Sequence, residues 1–240
     1  MIGASPGKMS RRRPTPSVGD AACQTQPMDE TLVGTGELRA LLFDLGGVLI
    51  DIDFKRAFQT WAALASCDAA DLEQRFTFDE AYEQHETGDL HSSAYFNALR
   101  ESLNVSLSED DLVAGWNDIY LGTIPGMEKL LETASQRFPL YAFTNSNATH
   151  QSVWSVRFAA ELSIFKTVYV SSELGVRKPD PRSFSLVADR MGVQASEVLV
   201  FDDSAENIDG AVSAGMRGVL VQSTRDVSVV LSRYGLEVEG

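Results

Sequence analysis

Three carboxylates and one amine carry the chemical interest of this sequence: Asp44 in "LLFDLGGVLID", Lys178 in "GVRKPDP", and the adjacent Asp202 and Asp203 in "VLVFDDSAENIDGA". Carboxylate oxygens are the hard ligands that Mg²⁺ takes, leaving room for waters and a phosphate oxygen. A lysine head among them neutralises charge that would otherwise repel an anion. Thr144, beside Asn145 and Asn147 in "YAFTNSN", adds hydroxyl and amide groups able to hydrogen-bond phosphate oxygens. Taken singly, each residue has a plainer reading. Asp44 could cap a turn, Asp202–Asp203 the helix that begins near Ser204; Thr144 could end a strand, and Lys178 could be a solvated loop charge. Gly46 and Gly47 shift the balance for Asp44, because they let backbone N–H groups turn inward and a carbonyl approach a bound ion closely.

These groups act together only if the chain gathers them. From residue 39 onward, short apolar runs at 40–44, 140–144, 167–170, 198–202 and 218–221 alternate with helical stripes such as Met127, Leu130, Leu131 and Ala134, or Ile208, Ala211, Val212 and Ala214. That alternation predicts an α/β fold, a parallel sheet flanked by helices. Asp44, Thr144 and Asp202–Asp203 then end three strands at one edge of the sheet, and Lys178 follows a fourth. Residues 53–123 break the alternation. Phe54, Ala57, Phe58, Trp61 and Leu64 mark one helical face, Tyr95, Phe96 and Leu99 a second, Leu112, Val113, Trp116, Ile119 and Tyr120 a third. The reading is an inserted, strand-free helical cap over the edge where open α/β sheets bind ligands. Residues 1–38 are expected to be a disordered tail, with 39–52 and 124–240 as the core and 53–123 as the cap.

At 240 residues and 44% hydrophobic, the chain can bury a sizeable core. Its net charge of −14 excludes nucleic acid and anionic membrane as partners, since both are bound through a surplus of Lys and Arg. The tail balances Lys8, Arg11, Arg12 and Arg13 against Asp20, Asp29, Glu30 and Glu37, so the negative excess lies in 39–240. A small phosphorylated ligand remains compatible, because a metal and a few cations invert the sign inside a cleft. Cys23 and Cys67 match no zinc or redox spacing, and no apolar run is of membrane length, so a cytoplasmic, reducing setting is expected. "GASPGKMS" has neither the spacing nor the Ser or Thr of a phosphate-binding P-loop. His85, His91 and His150 lack metal-ligand spacing and read as structural; Trp61, Trp116 and Trp154 read as core.

"LLFDLGGVLID", "YAFTNSN", "GVRKPDP" and "VLVFDDSAENIDGA" resemble the four ordered motifs of the haloacid dehalogenase-like hydrolase superfamily, with intervals of 100, 34 and 24 residues from Asp44 to Thr144 to Lys178 to Asp202. The resemblance spans 40–222. "FDLGGVLIDIDF", with "GDL" in the insertion, is similar to the bacterial sugar-phosphatase subgroup, whose type is an alpha-D-glucose-1-phosphatase. It implies a Rossmann-like core and a Mg²⁺-dependent phosphatase, monomeric or homodimeric, acting on a small phosphorylated metabolite such as a sugar phosphate. Asp44 would be the nucleophile, forming an aspartyl-phosphate that water hydrolyses. Asp44, the Gly46 carbonyl and Asp203 would bind Mg²⁺, with Asp202 assisting directly or through water. Thr144, Asn145, Lys178, Leu45 and Gly46 would hold the phosphoryl group, and Lys178 would also orient Asp44.

One departure has consequences. Phosphatases of the superfamily carry a second aspartate two positions after the nucleophile as general acid; here that position is Gly46. General acid catalysis contributes about 10²- to 10⁴-fold, roughly 3 to 5 kcal/mol. Three readings follow: a leaving group that departs without protonation, a proton from Asp51, Asp53 or the cap, or a weakly catalytic metal- and phosphate-binding scaffold. Dehalogenases also lack that aspartate and are the alternative activity, but they need no Mg²⁺ and leave Asp202–Asp203 without a task.

Overall fold

The computed structural model describes residues 37–236. The strands are β1 (Ala40–Phe43), β2 (Ile50–Ile52), β3 (Tyr120–Thr123), β4 (Leu140–Thr144), β5 (Val168–Val170), β6 (Val198–Asp202) and β7 (Arg217–Leu220). The helices are α1 (Lys55–Ala65), α2 (Ala69–Arg75), α3 (Glu80–Thr87), α4 (Ser92–Leu103), α5 (Glu109–Asn117), α6 (Met127–Ser135), α7 (Ala148–Arg157), α8 (Ala159–Leu162), α9 (Ser171–Leu174), α10 (Pro181–Met191), α11 (Ala205–Ser213) and α12 (Thr224–Arg233). Five strands form one parallel sheet in the order β5-β4-β1-β6-β7. Every residue of the central β1 and of β6 is buried, as expected where helices cover both faces.

Strand periodicity divides the core into two layers. Leu41, Phe43, Leu199 and Phe201 face the side packed by Leu130 and Leu131 of α6 and Val227, Val230 and Leu231 of α12. Ala40, Leu42, Val198 and Val200 face Phe184, Val187 and Ala188 of α10 and Ile208 and Ala211 of α11. Both layers draw on the stripes visible in the sequence. No helix among the described residues is long and apolar enough to cross a membrane.

The segment between β2 and β3 holds the five helices α1 to α5. It is not strand-free, as the sequence suggested. Helix α5 ends at Asn117, and Tyr120, read as part of its apolar face, lies in β3, which pairs antiparallel with β2 as a two-stranded neck. Four residues beyond a short Asp118-Ile119 turn are too few to carry a period of their own, so Ile119 and Tyr120 simply extended the helical stripe. The expected tail lies outside the described residues apart from Glu37 and Leu38, and so do Cys23 and the "GASPGKMS" run. Leu38 is already buried in the core.

Helices α1 and α5 meet through a close approach. Trp61 is fully buried, its Nε1 donates to the Leu112 carbonyl at 3.0 Å, and a Cβ placed on Gly115 would stand 2.2 Å from that nitrogen. Gly115→Ala must therefore push the indole off its acceptor. Overpacking of this kind costs about 1–3 kcal/mol. Thermal melts of the variant are expected to show a midpoint several degrees lower; an unchanged midpoint would mean that the α1–α5 contact is looser than described.

Candidate active site

Strand β1 delivers Asp44 to the sheet edge, and its ladder runs one residue further, the Asp44 N–H donating to the Phe201 carbonyl at 2.8 Å. The neighbouring β6 ends on Asp202, so the two carboxylates emerge side by side. Each of Asp44, Asp202 and Asp203 offers an oxygen within 4.8 Å of the others. Between them stands Lys178, whose Nζ lies 2.9 Å from Asp44 Oδ1 and 2.7 Å from Asp202 Oδ2, with only 2% of the side chain exposed. Asp202 Oδ1 accepts from the Ser204 N–H at 2.9 Å and from Asn207 Nδ2 at 2.8 Å, which locks that carboxylate. Asp203 is exposed and reaches over Gly47, where a Cβ would come within 2.1 Å of Asp203 Oδ2 and φ is +75°. Glycine is needed there on both counts.

Burial, reinforced by Asp202 and Asp203 against the pull of Lys178, pushes the Asp44 carboxyl up to about 7. Partial desolvation and then Asp202 move Asp203 upward as well. Burial alone would lower the Lys178 ammonium, but Asp202 and Asp44 outweigh it and raise it further. Three carboxylates face one ammonium, a formal balance of −3 + 1 = −2. A hard divalent cation matches that surplus and the oxygen donors, so Asp44, Asp202 and Asp203 fit Mg²⁺.

A family model for haloacid dehalogenase-like hydrolases matches residues 38–215, most of the chain and all of this constellation. The chain belongs to the haloacid dehalogenase-like hydrolases. This hydrolase is 30% identical over 216 residues to Phosphatase MT3486 of Mycobacterium tuberculosis, covering 85% of this chain and 98% of the relative. It is 25% identical over 181 residues to D-ribitol-5-phosphate phosphatase of Bacteroides thetaiotaomicron, covering 71% and 85% of the two chains. Among solved structures it superposes on a HAD family enzyme of Bacteroides thetaiotaomicron in complex with magnesium and inorganic phosphate. That match has a TM-score of 0.65 and 25% identity, and covers 75% of this chain and 92% of that one. The core is thus the Rossmann-like α/β fold of the superfamily.

In this hydrolase Leu45, Gly46, Thr144 and Asn145 line a cavity of about 60 Å³ at the sheet edge. Ile50 and Ile52 of β2, Ile119 before β3 and Tyr120 within it, and Ser146, His150 and Trp154 complete its wall. The hydrolase has a roomier hollow, about 370 Å³, beside α6 and α8, but it is lined by Glu128, Glu132 and Glu161 and by no residue of the constellation.

Several expected side chains are engaged otherwise. The amide of Asn145 is committed to the Lys178 backbone, Nδ2 donating to the Lys178 carbonyl and Oδ1 accepting its N–H, both at 2.9 Å. It positions the lysine, and the second Nδ2 proton, on a side chain that lines the cavity, is left over for a phosphoryl oxygen. The Leu45 N–H donates to Asp44 Oδ1 at 2.7 Å, orienting the carboxylate. Asn147 caps α7, accepting from the His150 N–H at 3.0 Å. Asp51 is exposed, on the face of β2 opposite Ile50 and Ile52, and Asp53 accepts from the Lys55 N–H at 2.9 Å at the start of α1.

Other residues of the hydrolase gained their place only in three dimensions. His150, read as structural, lines the cavity. Asn207 carried a usable signal, since it sits in the first turn of the helix that follows Asp202 and so points back at it. Ser171 gave none: its Oγ accepts from the Ser146 N–H at 2.9 Å and donates to the Glu86 carbonyl at 2.6 Å, tying the loop after β4, the start of α9 and α3 together. Arg177 likewise joins the Lys178 loop to α3 through Glu86 at 2.8 Å and Glu83 at 2.9 Å.

Proposed function

We propose that this hydrolase cleaves phosphate esters of small metabolites with Mg²⁺ bound, through attack of the Asp44 carboxylate on phosphorus. The observation that carries this reading is the joint placement of Asp44, Asp202 and Asp203 around Lys178, a site that would be needlessly acidic for any anion without a cation. Asp44, Asp202 and Asp203 would hold Mg²⁺, with the Gly46 carbonyl as the further candidate donor. The ion supplies charge neutralisation for the approaching phosphoryl group. Lys178 and the Leu45 N–H fix Asp44 Oδ1, leaving Oδ2 to attack. The third Lys178 proton, the Thr144 hydroxyl and the second Asn145 Nδ2 proton are the groups available to phosphoryl oxygens. Attack yields an aspartyl-phosphate, and water then takes the phosphoryl group from Asp44. The curated relatives that are phosphatases support the reading.

Phosphate release from 4-nitrophenyl phosphate, with Mg²⁺ and after chelation, tests it. Turnover with Mg²⁺ and near-complete loss on chelation are expected. Halide release from a short 2-haloacid that persists with chelator present would instead identify the dehalogenase alternative.

A further inference from the structure

Position 46 is where a proton donor to the leaving group would be mounted, two residues beyond Asp44, and the space beside it is tight. A Cβ on Gly46 would stand 3.1 Å from Ile52 Cδ1, and the same Ile52 lines the cavity that reaches Thr144. With Ile50, Ile119 and Trp154 it makes this side of the site apolar. The only titratable side chains in the wall are Tyr120 and His150. His150 is fixed by its Nε2 at 2.9 Å from the Trp116 carbonyl, and burial lowers it to about 3, so it stands neutral. Burial drives the Tyr120 phenol upward, making it a poorer acid than a free phenol. The nearby carboxylates are otherwise occupied. Asp51 faces away, Asp53 Oδ1 accepts from the Lys55 N–H at 2.9 Å, and Glu86 accepts from the Tyr82 hydroxyl at 2.8 Å and pairs with Arg177.

Given phosphoryl transfer to Asp44, we propose that Ile52 is a specificity-determining residue, crowding position 46 and walling it with apolar surface, so that the hydrolase, with no proton donor there, is restricted to phosphates whose leaving oxygen departs as a stable anion. The step balances without an acid. Asp44 forms its bond to phosphorus, the phosphorus–oxygen bond breaks with its electron pair staying on the leaving oxygen, and water releases the phosphate: R–O–PO₃²⁻ + H₂O → R–O⁻ + H₂PO₄⁻. A carboxylate, with an ordinary pKa of about 4, or a phenolate, about 10, leaves in this way; an alkoxide does not. The substrate class is therefore acyl, aryl and enol phosphates, with anomeric sugar phosphates intermediate and simple alcohol phosphates excluded.

A leaving-group series decides it: acetyl phosphate, 4-nitrophenyl phosphate, phenyl phosphate, an anomeric hexose phosphate and glycerol phosphate, compared by kcat/KM with Mg²⁺. The expected result is a fall of about 10²- to 10⁴-fold from 4-nitrophenyl to glycerol phosphate, the contribution of the missing acid. In Gly46→Asp combined with Ile52→Ala the series is expected to flatten, the ratio of kcat/KM for 4-nitrophenyl phosphate to that for glycerol phosphate falling at least about tenfold whatever the absolute rates. Glycerol phosphate turned over by the parent protein within tenfold of the aryl ester would overturn the proposal and leave the phosphatase reading intact. Inertness toward every phosphate in the series would remove the phosphatase reading, and the proposal with it.

Discussion

Asp44→Asn is expected to lower kcat by about 10⁴-fold or more, at least roughly 5.5 kcal/mol of lost transition-state stabilisation, while the protein stays folded. The amide has the shape of the carboxylate but cannot form the acyl phosphate. Folding should survive because Asp44 is costly as an anion: burial and its two acidic neighbours hold its carboxyl at about 7. A neutral isostere removes that cost, and Lys178 keeps Asp202 at 2.7 Å. Phosphate release and a thermal melt measure the two effects separately. Activity above about a hundredth of the parent's, in a correctly folded variant, would mean that another group attacks.

Lys178→Met should have the largest effect on stability. The lysine is buried and bridges two carboxylates, so its loss leaves Asp44 and Asp202 without the cation that compensates them. Breaking a buried pair from one side costs about 3–5 kcal/mol, equivalent to a melting point lower by roughly 6–20 °C in a domain of this size. The deficit should depend on pH in one direction. Asp44 is raised from 3.8 to about 7, so its contribution to stability is complete below about pH 4 and is lost as pH rises through about 7. Without Lys178 the carboxylates repel more strongly, so the variant should regain part of its deficit as pH falls through that window. Lys178→Arg is not expected to rescue it, because a planar guanidinium cannot occupy the space of a compact ammonium held by Asn145. A melting point equal to the parent's at pH 7.5 would show that the lysine is not what balances the cluster.

The sheet was legible because its strands are buried on both faces and read as unbroken apolar runs, and because a parallel sheet sends all its strand ends to one edge. That logic brings Asp44, Thr144 and Asp202 together before any coordinates are seen. Strand β3 was hidden because four residues, two positions beyond a helix, are too few to show a period of their own. The task of Asn145 was hidden for another reason: its partner is the backbone of a residue 33 positions away, and no side-chain pattern marks a backbone acceptor. The same holds for Ser171, whose partners lie in the loop after β4 and on α3. The role of Gly46 was half visible. Its lack of a carboxylate could be read directly, but that Ile52 crowds the position emerged only once β2 folded back beside it.

The central claim is covalent capture of phosphate by Asp44, and one rapid-quench measurement tests it directly. A single turnover of 4-nitrophenyl phosphate with Mg²⁺, quenched into borohydride, should convert residue 44 to homoserine, found by mass in the peptide that carries it, and ¹⁸O from labelled water should appear in the released phosphate. Turnover with an unmodified Asp44 peptide at every quench time, or ¹⁸O in the Asp44 carboxylate in place of phosphate, would contradict it.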